Sequence, residues 1–111
     1  MHFHRFPPLA GPYALATVPS VSIVGVTQAV SGLVRFAAGK RSPDQGMRTS
    51  AVHELGYVIR GRVRIDTAGE SLEVRAGDIL VSSPTESHST TALEDSEIFF
   101  VLLDPRLPST A

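Results

Sequence analysis

Glu54-Leu55-Gly56-Tyr57-Val58-Ile59-Arg60-Gly61 and, further on, Ala76-Gly77-Asp78-Ile79-Leu80-Val81-Ser82-Ser83-Pro84-Thr85-Glu86-Ser87-His88 are the runs whose reading decides the fold. The first is rich in β-branched and aromatic residues and stops at a glycine, where the chain can turn sharply. It reads as one strand delivering a carboxylate, Glu54. The second reads as a tight turn, a short apolar strand and a proline-containing loop that delivers an imidazole, His88. Between the two, Arg62, Arg64 and Asp66 alternate with Val63 and Ile65, and Ser71, Glu73 and Arg75 alternate with Leu72 and Val74. Joined by Thr67-Ala68-Gly69-Glu70, they predict a hairpin with one buried and one wet face, its arginines partnered by Glu70 and Glu73.

Working outward, strands are expected over 13–18, 20–26, 30–37, 47–59, 62–66, 71–75, 78–82, 87–92 and 96–103, each bounded by turn residues or charges. Gly39-Lys40-Arg41-Ser42-Pro43-Asp44-Gln45-Gly46 is a loop by composition. No segment holds a helical period, so the pattern predicts an all-β sandwich or barrel. The whole chain, 1–111, is expected to be a single domain. Residues 1–12, with three prolines, form an extended N-terminal segment, and 104–111 form a tail that cannot continue a strand far past Pro105.

Composition narrows the function classes. At 111 residues, 42% hydrophobic and 19% charged, the chain can build one core. A net charge of -1 without a basic run argues against a nucleic-acid partner. The absence of cysteine excludes disulfides and thiolate metal sites. No Lys, Arg, Asp or Glu lies between Arg5 and Arg35, but Pro12, Pro19, Ser20, Ser22, Thr27, Gln28, Ser31 and Gly32 break the apolar run. That spacing predicts strands with a turn, not a membrane span, which needs about 20 continuous apolar residues. Met1-His2-Phe3-His4-Arg5-Phe6-Pro7-Pro8 lacks the apolar centre of a secretory leader, and a cytoplasmic location is expected.

Glu54, six intervening residues and Gly61, then Ala76-Gly77-Asp78 and the loop into His88, resemble the two-motif signature of the cupin superfamily over roughly residues 33–103. The resemblance implies a double-stranded β-helix, or jelly-roll barrel, with the motif ends meeting inside around a metal or a substrate. It also implies a homodimer. Cupins include dioxygenases, isomerases, decarboxylases, lyases, cyclases, storage proteins and sensors, so the resemblance fixes the fold and leaves the reaction open. The chain departs from the signature at several positions. The His-x-His that precedes the glutamate in the family is here Arg48 and Ser50, and a looser alignment would place Gln45 and Met47 there. In the second motif the family's proline and glycine fall on Ser83 and Thr85, with Pro84 shifted by one place.

Alternate residues of a strand share a face, so an inward Glu54 takes Arg48, Ser50, Val52, Gly56 and Val58 with it. Glu54 and His88 are therefore the candidate catalytic residues, and the candidate ligands of a divalent metal ion. Arg48, Ser50 and Tyr57 are candidate substrate-binding residues. Two donors hold an ion weakly, and a third would have to come from His53, His2 or His4, although His53 should face away from Glu54. Without a metal, the pair is a general acid and base beside Arg48, whose fork of donors suits a carboxylate or enolate oxygen. The plainer readings are a Glu54–Arg48 ion pair, a hydrogen-bonded loop His88, solvated His2 and His4, and Tyr57, Phe36, Phe99 and Phe100 as core or interface residues. A facial triad of two histidines and a carboxylate cannot be assembled from the standard positions, which disfavours a redox oxygenase. The expected protein is a small-molecule-binding domain with lyase, isomerase or cyclase chemistry on a small anionic or carbonyl-bearing substrate. The alternative is a non-catalytic ligand-binding or sensor module that has lost its metal site.

Overall fold

Apolar residues recurring at every second position give each segment one dry side, and the chain pairs those sides into two layers. The computed structural model describes residues 5–23 and 26–105, with side chains outside 18–28 and 104–105. Its strands are β1 (Tyr13–Ile23), β2 (Val26–Phe36), β3 (Arg41–Ser42), β4 (Arg48–Thr49), β5 (His53–Arg60), β6 (Arg62–Thr67), β7 (Ser71–Arg75), β8 (Ile79–Ser82), β9 (Ser87–Ala92) and β10 (Ser96–Pro105). No helix occurs among the described residues. The strands form one sheet in the order β1-β2-β10-β5-β8 and a second in the order β3-β9-β6-β7, with β4 also on β9. All pairs are antiparallel. This is the jelly-roll sandwich expected of alternating short strands.

The expected hairpin is present, with Val63 opposite Val74, Arg64 opposite Glu73 and Ile65 opposite Leu72. Val63 and Ile65 are buried while Arg62 and Arg64 are exposed, the alternation that a half-wet sheet requires. Arg62 pairs with Glu73 at 2.7 Å. Glu70 has no ion pair among the described residues; it bonds through its backbone to Thr67, closing the turn. Gly61 turns β5 into β6 with φ +90°, and an added Cβ would strike the Ser96 hydroxyl and the Asp95 carbonyl. The turn before β8 is held by Asp78, whose side chain accepts the Arg75 N–H at 2.9 Å, and Gly77 N–H bonds the Val58 carbonyl at 2.8 Å.

The core lies between the sheets and is made of Val34, Phe36, Val58, Val63, Ile65, Ala92, Ile98 and Phe100. Phe36 and Phe100 are core residues, as one of the two sequence readings had it. Phe99 and Tyr57 are on the other side of the first sheet.

Two expectations change. Residues 47–59 are not one strand: β4 belongs to the second sheet and β5 to the first, so the chain changes layer between Thr49 and His53. The turn-rich loop 39–46 contains a short ladder, Arg41 opposite Thr91 and Ser42 opposite Thr90. The uncharged segment after Arg5 forms the β1–β2 ladder, and no helix among the described residues is long and apolar enough to cross a membrane.

Candidate functional site

Three strands carry the same change in chemistry along their inward faces. On β5 the inward residues run Val58, Gly56, Glu54; on β9, Ala92, Thr90, His88; on β6, Val63, Ile65, Thr67. Val58, Val63 and Ala92 are fully packed at one end of the sandwich. At the other end the sheets part around a cavity of about 420 Å³. Val34, Phe36, Ile98 and Phe100 form its apolar wall, and Arg48, Ser50, Glu54 and His88 are among its polar lining. A mostly apolar cavity with a few convergent polar groups is the usual form of a small-molecule site.

Glu54 comes from the first sheet and His88 from the second, and they meet across the cavity with Oε2 and Nε2 3.9 Å apart. Their side chains are 33% and 17% exposed. The separation exceeds a hydrogen bond and leaves both groups free to bond an atom placed between them. Nδ1 of His88 is buried with no bonded partner among the described residues.

Arg48 lies directly opposite His88 in the β4–β9 ladder. Its guanidinium donates to the Ser42 hydroxyl at 2.9 Å. That single bond leaves most of its five donors for a ligand. Ser50 ties the rim together: its carbonyl accepts the Thr85 N–H at 2.7 Å and its hydroxyl accepts the Val52 N–H at 3.2 Å. Thr85 adopts φ +71°, the left-handed region, at the place where the family signature has glycine. A β-branched residue there is strained.

The sequence-predicted residues Glu54, His88, Arg48 and Ser50 thus all line one cavity. Tyr57 does not. It follows Gly56 on β5, so the pleat turns it to the outer side of the sheet, where it is 42% exposed, and its assignment as a substrate-binding residue is corrected. His53 is likewise outward and exposed, and His2 and His4 lie outside the described residues. Ser42 and Thr90 were missed. Thr90 could have been found, since it stands two residues from His88 on a strand and must share its face. Ser42 could not, because a loop of turn residues has no readable face.

The metal centre that the cupin resemblance implies can be tested on the donor set. Glu54 and His88 supply two donors, and no group of three His, Cys, Asp or Glu close enough to hold an ion exists among the described residues. The neighbour in register with His88 is a guanidinium, a fixed cation that repels a divalent ion and cannot ligate it. A protein site for such an ion usually has three or more ligands. The residues present do not fit the group.

A family model described as the cupin domain matches residues 32–103. No curated protein matches the chain. Among solved structures, KdgF from Halomonas sp. superposes with a TM-score of 0.67 at 20% identity, over 97% of this chain and 92% of that one. An RmlC-like cupin from Shewanella frigidimarina gives 0.66 at 12% identity, over 94% and 86%. A protein of unknown function from Rhizobium leguminosarum gives 0.65 at 24% identity, over 87% and 85%. At these identities the likeness is one of fold.

Proposed function

Since the chain belongs to the cupin family, we propose that its cavity binds a small carboxylate-bearing carbonyl compound and that Glu54 and His88 move a proton on it. The observation that carries this reading is the meeting of Glu54 and His88 at 3.9 Å on facing walls, with Arg48 in register beside the imidazole. The guanidinium holds the substrate carboxylate by a paired, charge-assisted contact. The Glu54 carboxylate takes the proton from the carbon next to the carbonyl. The electrons of that C–H bond form the enol double bond, and protonated His88 gives its Nε2 proton to the carbonyl oxygen. Return of a proton to a different carbon is an isomerisation; loss of a group from the neighbouring carbon is a lyase step. The apolar wall of Val34, Phe36, Ile98 and Phe100 keeps water from the enol.

The test is exchange of α-hydrogens for deuterium, followed by proton NMR, in pyruvate, 2-oxobutyrate and 2-oxoglutarate. Exchange catalysed by the native protein and lost in Glu54→Gln and His88→Ala is expected. The ligand-binding or sensor reading is favoured by the missing histidines at Arg48 and Ser50. It prevails if one of these acids binds the native protein and both variants equally, with no exchange in any of them.

A further inference from the structure

Among the described residues two glycines stand inside strands, Gly32 in β2 and Gly56 in β5. They flank Phe100 of β10, each in register with it. A glycine weakens a strand interior, and one that stands there marks a bulge, the close approach of another backbone, or room for a ligand. Packing explains Gly32: an added Cβ would strike the Ala16 carbonyl and stand 2.5 Å from the Phe100 ring. It does not explain Gly56. The φ of Gly56 is not positive, and its ladders to β10 and β8 pass through it without a bulge. The atoms nearest an added Cβ would be side-chain carbons of Ile98 at 3.4 Å and of Leu80 at 3.7 and 3.8 Å, ordinary van der Waals distances. Neither the backbone nor the packing demands a glycine there, which leaves the third reason.

We propose that Gly56 is the specificity-determining residue of the cavity, and that the room it leaves receives the branched aliphatic tail of a 2-oxo acid. The inference rests on the reading that Arg48 holds the carboxylate and Glu54 faces the carbon next to the carbonyl. Gly56 is on the inward face of β5, one pleat repeat or about 7 Å from Glu54, and lines the cavity with Leu80, Ile98 and Phe100. A methyl or ethyl group held at Glu54 ends short of that place, whereas a branched chain spans the distance. The Phe100 ring lies against Gly32, so the Gly56 side of the row is bordered by Leu80 and Ile98. These side chains are hydrocarbon throughout, and a hydrocarbon tail is what they favour. The volume agrees: about 420 Å³ is within the range of sites that enclose drug-sized ligands, far more than a four-carbon acid fills.

Isothermal titration calorimetry of the full chain with 2-oxobutyrate and 4-methyl-2-oxopentanoate tests the proposal. The native protein is expected to bind the branched acid about tenfold more tightly, the worth of two further buried carbons. Gly56→Val, which fills the space with a residue suited to strands, is expected to weaken the branched acid at least about tenfold and 2-oxobutyrate less than about twofold. Gly56→Ala, which serves alone should the valine variant fail to fold, is expected to weaken the branched acid about threefold. Its urea midpoint should be unchanged or higher, because the Cβ has room and the unfolded chain has less freedom. Equal affinity of the native protein for the two acids, a preference that survives in Gly56→Val, or a lowered urea midpoint in Gly56→Ala would overturn the inference without touching the roles of Arg48, Glu54 and His88. If neither acid binds the native protein, the substrate reading fails and the inference falls with it.

Discussion

The two ends of the sandwich are built from the same strands and are chemically opposite. At the packed end β5, β6 and β9 turn Val58, Val63 and Ala92 inward, each essentially without solvent exposure. Four residues further along the inward faces of β5, β6 and β9 stand Glu54, Thr67 and His88, around a cavity. The contrast extends to the turns. At the packed end Gly61 is left-handed, with φ +90°, at a place where any side chain would meet Asp95 and Ser96. At the cavity end Thr85, the one non-glycine residue with positive φ among the described residues, has φ +71° and is of a type that resists that conformation. One end is arranged for stability, and the other holds polar and strained groups that stability alone would not select.

Substitutions should separate the two ends. The largest effect is expected from Glu54→Gln and His88→Ala. Each should lower α-proton exchange by roughly a hundredfold to ten-thousandfold. Neither should lower the Tm by more than about 3 °C, because both groups are partly exposed and their 3.9 Å contact is not a hydrogen bond. Calorimetry beside the exchange assay checks this, and a large Tm loss with intact exchange would invert the comparison. At the other end Gly61→Ala should cost about 3 kcal/mol or more, through the left-handed backbone and the clash with the Asp95 carbonyl, measured by urea unfolding. Thr85→Gly should act in the opposite sense. Relief of the left-handed strain outweighs the added freedom of the unfolded chain, for a gain of about 0.5–1 kcal/mol.

The smallest effect belongs to the outer face of the second sheet. The Ser71 hydroxyl, and after it the Arg64 guanidinium, hold the Asp66 carboxyl below its ordinary value. A carboxyl lowered on folding adds stability above its unfolded pKa and loses it as pH falls through the folded value. Asp66→Asn should therefore reduce the Tm slightly at pH 7, and the difference should shrink as pH falls through the lowered value of the folded carboxyl. A difference that persisted in acid would show that packing, not charge, is the cause.

The fold was legible because alternation and turn residues agree through most of the chain. Val63 and Ile65 against Arg62 and Arg64, and the glycines at 61 and 77, marked the hairpin and the turn before β8 close to where they lie. The segment 47–59 was not, since Met47 to His53 contains no glycine or proline to show where the chain leaves one sheet for the other. Arg48 and Ser50 still reach the cavity, but from the second sheet and the crossing, not along the strand of Glu54. Tyr57 was an avoidable error: the pleat that turns Glu54 and Gly56 inward turns Tyr57 out. Convergence of Glu54 and His88 needed long-range topology, which the two-motif resemblance supplied and residue periodicity could not.

If Glu54, His88 and Arg48 act together on a carboxylate-bearing carbonyl compound, that compound must sit in the one cavity they line. A crystal structure with saturating 2-oxobutyrate tests it most directly. The expected map has the acid's carboxylate on the Arg48 guanidinium and the carbon next to its carbonyl between Glu54 and His88, within about 3–3.5 Å of a carboxylate oxygen. A cavity free of the acid at saturation, or an acid seated with its reacting carbon beyond reach of both side chains, would contradict it.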